Sequence, residues 1–201
     1  MTQQEKRPLR LFIAVELPDA VKDLLGQVVQ RMKRAPLDDV RWVRPDGIHL
    51  TLKFLGDTPT EGLDAIALAM ARAAARIQPF AVQVQGTGAF PSLRAPRVVW
   101  LGLSEQAELL GELQAGLEAA LEREGFPKEQ RGFSPHLTLG RINGRLSPLQ
   151  LEALAEGLRQ IDAFAFPAIP VEAISLIESQ LDRSGARYFP RRLAKLGEEV
   201  A

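Results

Sequence analysis

The tetrapeptide His-Leu-Thr-Leu occurs twice, at positions 49–52 and 136–139, and its two copies use both of the chain's histidines. Alternation of polar and apolar residues is a strand pattern in which residues i and i+2 share a face. Each motif is therefore expected to point its imidazole and its threonine hydroxyl one way and its two leucines into a core. Two such strands side by side would bring two imidazoles and two hydroxyls onto one floor. A fold for this chain has to be built around that pair.

The offset of 87 between the motifs extends to their surroundings. Leu11-Phe12-Ile13-Ala14-Val15-Glu16-Leu17 reads as a buried strand, and so does Val98-Val99-Trp100-Leu101-Gly102-Leu103. Each precedes an amphipathic helix. The first is predicted from about Asp19 to Arg34, with Val21, Leu24, Leu25, Val28 and Met32 inward. The second is predicted from about Glu105 to Glu124, with Leu109, Leu110, Leu113, Leu117 and Leu121 inward. After each motif strand, Thr58-Pro59 and Ser147-Pro148 read as helix starts, a hydroxyl N-cap followed by proline in the first turn. Those helices are predicted to run to about Ile77 and Arg159. Strand-like segments follow at Phe80–Gln85 and Phe164–Ile177, the latter interrupted by Pro167 and Pro170, with a last strand from about Ala186 to Leu193.

The unit is thus strand–helix–strand–helix–strand, present twice. An internal duplication explains two identical tetrapeptides at a shared offset better than generic α/β resemblance does. No Gly, Ser or Pro linker divides the halves, so residues 1–201 are expected to form one bilobal domain. The expected class is α+β, with two antiparallel sheets around a central groove.

Apolar residues make up 46%, and Lys+Arg and Asp+Glu are both 25. The chain is therefore globular, and zero net charge argues against a broad footprint on duplex nucleic acid while permitting contact with a short strand or a terminus. No apolar run approaches the roughly 20 residues that span a bilayer. Met1 to Pro8 is polar with no apolar segment before a cleavage site. A cytoplasmic, non-membrane protein is expected, and its size permits a monomer.

Two histidines facing each other across a phosphorus atom, one neutral and one protonated, can open a cyclic phosphodiester. One deprotonates the nucleophile and the other protonates the leaving oxygen, each role contributing roughly 10²–10⁴-fold. Thr51 and Thr138, two residues along on the same face, are placed to hold the non-bridging oxygens as charge builds on them. Arg141, just past Leu139-Gly140, offers a permanent charge and a bidentate fork suited to phosphate. Spacing alone does not say which histidine plays which part. With no cysteine, no third histidine and no His-Glu-x-x-His, no metal site is expected. There is no Gly-x-x-x-x-Gly-Lys phosphate loop, and Gly86-Thr87-Gly88 reads as a turn. No cofactor is expected.

Paired His-x-Thr-x motifs in a duplicated α/β chain resemble the 2H phosphoesterase superfamily. Within it, the chain is similar to the RNA 2′,3′-cyclic phosphodiesterases, also called 2′-5′ RNA ligases. Besides the motifs, the likeness rests on Arg10–Val15, Trp42-Val43, Ile48–Gly56, Phe90-Pro91, Trp100–Gly102, Pro135–Arg141, Ser175–Ser179 and Gly185–Tyr188.

The resemblance implies His49 as general acid on the leaving ribose oxygen and His136 as general base on water. The product would be a 2′-phosphomonoester, made without metal. It implies Thr51, Thr138 and Arg141 on the phosphate, and Phe54 as a candidate to pack against the terminal nucleobase or, alternatively, as core. The implied partners are RNA termini bearing a 2′,3′-cyclic phosphate, including tRNA halves, with 2′-5′ ligation a minor reaction of the same site. Arg187, Arg191, Arg192 and Lys195 fit either RNA steering or a solvated strand face. The alternatives are a related enzyme acting on ADP-ribose 1″,2″-cyclic phosphate or 2′-5′ oligoadenylate, or a non-catalytic module that binds RNA ends.

Overall fold

The computed structural model describes residues 7–104, 106–162, 164–182 and 185–199. The chain runs β1 (Leu9–Val15), α1 (Asp19–Met32), β2 (Val40–Trp42), a 3-10 turn at Pro45–Gly47 and β3 (Leu50–Thr58). A second 3-10 turn at Thr60–Gly62 leads to α2 (Leu63–Ala74), β4 (Phe80–Phe90), β5 (Val98–Ser104), α3 (Ala107–Glu122) and β6 (His136–Ile142). The remainder is α4 (Pro148–Ile161), β7 (Ile169–Val171), β8 (Ala173–Asp182) and β9 (Gly185–Lys195).

Most boundaries fall within a few residues of those predicted from periodicity. Glu105, the expected start of the third helix, lies outside the described residues. Ser147 caps α4 as expected: its Oγ accepts from the Gln150 backbone while the Gln150 side chain accepts from the Ser147 N–H. Thr58 does not cap α2. It ends β3, its hydroxyl donates to Gly56 O (3.2 Å), and the 3-10 turn intervenes before the helix. Gly86-Thr87-Gly88 is no turn either. It lies inside β4 at a register shift between Val84 and Thr87, and Gly86 takes φ +77°, a left-handed conformation suited to glycine in a bulge.

The strand order is β7-β4-β5-β6-β3-β1-β8-β9, with β2 also pairing on β6, and all these pairs are antiparallel. The two expected sheets are therefore two half-sheets, and the pairing between them is a single Cα pair, Leu50 with Leu137. The leucines of the two motifs form this seam. Val21, Leu25, Ile66, Met70, Leu113, Leu117, Leu154 and Leu158 from the four helices join Ile13, Leu50, Leu101 and Leu137 in one buried core. Phe12, Ala14 and Ile177 form a separate small cluster, with Tyr188 against it, on the opposite face of the sheet.

The halves are not the two sequence repeats. β4, from the first repeat, pairs with β5 of the second, and β8, from the second, pairs with β1 of the first. The helices cross in the same manner, α2 packing on α3 and α1 on α4. Each repeat thus completes the other's half-sheet, which is why no linker separates them.

Both motif strands carry a bulge at the same place. Ile13 and Ala14 pair with Lys53 and Thr51, leaving Leu52 extra; Val99 and Trp100 pair with Gly140 and Thr138, leaving Leu139 extra. Leu52 and Lys53 are consequently both buried, as are Leu139 and Gly140. The bulge reverses the alternation after each motif. Phe54 and Arg141, three residues past the threonines, return to the threonine face.

Candidate active site

His49 lies immediately before β3 and His136 opens β6. Because Leu50 and Leu137 are partners in an antiparallel pair, the positions on either side set His49 across from Thr138 and Thr51 across from His136. The leucines face the core, so these four side chains face away from it. By strand spacing and rise, the two histidine Cα atoms are roughly 8 Å apart on the diagonal, a span a tetrahedral phosphate can bridge. Among the described residues neither threonine hydroxyl has a hydrogen-bond partner, so both are available to a ligand.

A backbone group two residues upstream acts on each ring. His136 Nδ1 lies 2.7 Å from Ser134 O. A carbonyl only accepts, so Nδ1 carries the proton and Nε2 is left as the acceptor in the neutral ring. For His49 the backbone of Gly47, also two residues upstream, favours the protonated ring and raises its pKa. Aromatic neighbours differ between the halves. Phe12 stacks on His49 (4.6 Å between centroids, 29°) and Tyr188 meets it edge-on (5.1 Å, 81°). Phe90 meets His136 edge-on (5.1 Å, 82°) and packs on Trp100. Gly88 makes room for that indole, since a Cβ there would lie 2.4 Å from Trp100 Cζ2.

Burial lowers the His49 pKa to about 4; the Gly47 hydrogen bond opposes this, and the Arg141 charge adds to it. His49 is therefore neutral in the free protein at neutral pH. The Arg141 effect also places that guanidinium within electrostatic reach of the ring. Phe54 is 66% exposed, with its ring 6.0 Å from Phe12. The core alternative for Phe54 is thus corrected, and the bulge at Leu52 is the reason. The basic C-terminal strand is largely neutralised: Arg191 pairs with Glu178, Arg192 with Asp64 (2.9 Å) and Lys195 with Glu198 (2.9 Å).

All six candidate residues from the sequence thus belong to one face around the seam. Phe12, Phe90 and Tyr188 are neighbours of the histidines that periodicity did not single out. Phe12 sits in an apolar strand and reads as core, but Tyr188 is the chain's one tyrosine, a signal that was available. Among the described residues no three of His, Asp and Glu are grouped to hold a metal, and no helix is long and apolar enough to cross a membrane.

The LigT-like phosphoesterase family model matches the chain twice in succession, over residues 15–100 and 101–188. A Methanothermobacter thermautotrophicus protein named RNA 2′,3′-cyclic phosphodiesterase is 32% identical over 188 residues, 94% of this chain and 99% of its own. A Thermus thermophilus protein of the same name is 35% identical over 187 residues, 90% and 86% of the two chains. Among solved structures, one of a Thermus thermophilus protein superposes with a TM-score of 0.74 at 28% identity, covering 96% of this chain and 100% of its own. Escherichia coli LigT complexed with 3′-AMP does so with a TM-score of 0.69 at 29% identity, covering 95% and 99%. Fold and site define an enzyme that cleaves phosphoesters. The chain belongs to the LigT-like phosphoesterase family.

Proposed function

We propose that this chain hydrolyses RNA 2′,3′-cyclic phosphate ends to 2′-phosphomonoesters by a two-histidine acid–base mechanism without a metal. The observation that carries this is the seam at Leu50 and Leu137, which sets each histidine across from the other motif's threonine. Relatives named RNA 2′,3′-cyclic phosphodiesterase along nearly the whole chain support the substrate class. So does 3′-AMP as a ligand of Escherichia coli LigT.

His136 Nε2 takes a proton from water as the water oxygen attacks phosphorus. The P–O3′ bond breaks, and O3′ takes a proton from His49. Thr51 and Thr138 donate to the non-bridging oxygens, Arg141 balances their charge, and Phe54 supports the terminal base. The Ser134 carbonyl supports the base role, since it holds the proton on Nδ1 and leaves Nε2 open. For His49 to act as acid, the bound phosphate has to raise its lowered pKa; an anion placed beside it does so. Replacing water by a 5′-hydroxyl at the same phosphorus gives 2′-5′ ligation, a minor reaction while water is in excess. We read the chain as one duplicated domain acting as a cytoplasmic monomer.

The test is a short RNA with a 2′,3′-cyclic end, incubated in excess chelator, with the product resolved as 2′- or 3′-phosphate. Opening to the 2′-phosphate, lost in both His49→Ala and His136→Ala, is expected. Opening to the 3′-phosphate would reverse the assigned direction of cleavage. RNA bound but unopened would favour an end-binding protein.

A further inference from the structure

β2 runs beside β6 where β3 has left it: Val40 pairs with Ile142, Arg41 with Arg141 and Trp42 with Gly140. Val40 is buried and Trp42 packs against the core, so of the three only Arg41 faces the side that Arg141 faces. Two arginines therefore occupy directly opposed strand positions beside the candidate active site. Like charges so placed are destabilising.

Several cations elsewhere in the chain are paired. Lys53, Lys128, Arg159, Arg191, Arg192 and Lys195 all meet carboxylates. Among the described residues neither Arg41 nor Arg141 has such a partner. The start of β9 walls the far side of the pair. A Cβ on Gly185 would lie 3.1 Å from Arg41 Nη2, and Arg44 Nη2 donates to Ala186 O (3.3 Å). Arg41 thus reaches the start of β9 while its strand partner on β6 is a second cation, an arrangement that a bound anion would relieve.

A cyclic mononucleotide has one phosphorus, which Arg141 and the threonines serve. An RNA end brings a second anionic group, the phosphodiester on the 5′ side of the terminal nucleoside. We propose that Arg41, beside Arg141, binds this upstream phosphodiester and makes the site selective for RNA ends over cyclic mononucleotides. The inference rests on the RNA-end reading above and adds to it a residue and a substrate distinction. A guanidinium suits the task because two of its N–H groups can meet two phosphate oxygens at once.

The experiment compares a nucleoside 2′,3′-cyclic phosphate lacking a 5′-phosphate with a dinucleotide ending in the same cyclic nucleotide. Wild type, Arg41→Gln and Arg41→Lys are assayed on both. Wild type is expected to prefer the dinucleotide by about tenfold in kcat/KM. Arg41→Gln should lose that preference, changing the mononucleotide rate less than twofold, and lower the log–log salt dependence for the dinucleotide by about 0.7. Arg41→Lys should keep the salt dependence and part of the preference.

Equal effects of Arg41→Gln on both substrates, or none on either, would overturn the proposal. Calorimetric binding of the two corresponding 2′-phosphate products gives a readout independent of turnover. If wild type opens neither substrate, the hydrolytic reading fails, and a product-affinity difference that Arg41→Gln abolishes still supports the Arg41 contact. Equal product affinities in wild type and Arg41→Gln would sink it.

Discussion

The Lys53 ammonium lies 2.6 Å from Glu118 Oε2, between β3, the strand carrying the first motif, and helix α3. The side chains are 4% and 9% exposed. Lys53 also donates to Pro127 O (2.8 Å), and Glu129 N donates to Glu118 Oε2 (3.3 Å). One buried ion pair thus ties β3 to the segment leading to His136. Sequence alternation from Thr51 would have put Lys53 on the open face; the bulge at Leu52 turns it inward.

Removing one member of such a pair leaves an uncompensated buried charge, so Lys53→Met is expected to cost about 3–5 kcal/mol. The double variant Lys53→Met/Glu118→Leu should recover most of that loss, because apolar replacement of both partners is often neutral. It still leaves Pro127 O and Glu129 N without these partners, so kcat should stay below wild type as stability returns. Urea unfolding of the three proteins checks the first part and steady-state rates the second. A single-variant cost under about 1 kcal/mol would mean that solvent reaches the pair.

His49 makes a pH prediction whose sign is fixed by burial. Its folded pKa, about 4, lies below the ordinary 6.5. Between those values the unfolded chain binds more protons at this site than the folded one. The contribution is fully present above pH 6.5 and is lost as pH falls toward 4. At about 1.4 kcal/mol per unit the swing is of order 3 kcal/mol. Stability measured at about pH 7.5 and about pH 4.5 should fall more steeply for wild type than for His49→Gln.

The same site couples anion binding to protons. Phosphate binding near pH 6.5 should draw a proton onto His49, read by calorimetry in buffers of different ionisation enthalpy with His136→Gln as background. Arg141→Gln should raise the His49 pKa by removing a repulsive charge, and with two histidines in the chain the NMR titration is simple to assign. Binding with no proton uptake would move the acid role away from His49.

What was legible in the sequence followed from period and repetition. The motif strands, their inward leucines and the four helices all have local patterns, and the shared offset marked His49 and His136 as a pair. The exchange of β4 and β8 between halves had no local signal, because strand partners are chosen by tertiary packing. The bulges at Leu52 and Leu139 were hidden for another reason. The extra residue in each is a leucine that simple alternation already explains, with no glycine at that position to mark it. That hidden step is why simple alternation puts Phe54 in the core and Lys53 on the open face, the reverse of what the structure has.

The bulges also make Phe54 and Arg141 equivalent positions of the two halves: Phe54 pairs with Phe12 as Arg141 pairs with Val98, each one residue before the bulge-flanking pair. One half offers a flat apolar ring at this place and the other a cation, so the site has a base end and a phosphate end. Phe54→Ala should leave stability within about 0.5 kcal/mol, as expected of an exposed side chain. Base stacking on an aromatic ring contributes about 1–3 kcal/mol, so KM for a cyclic nucleotide end should rise about tenfold or more, with kcat little changed. Phe54→Tyr should retain the wild-type KM. If Phe54→Ala instead lowers kcat with KM unchanged, the ring acts through Phe12 on His49, and the base end must lie elsewhere on the sheet.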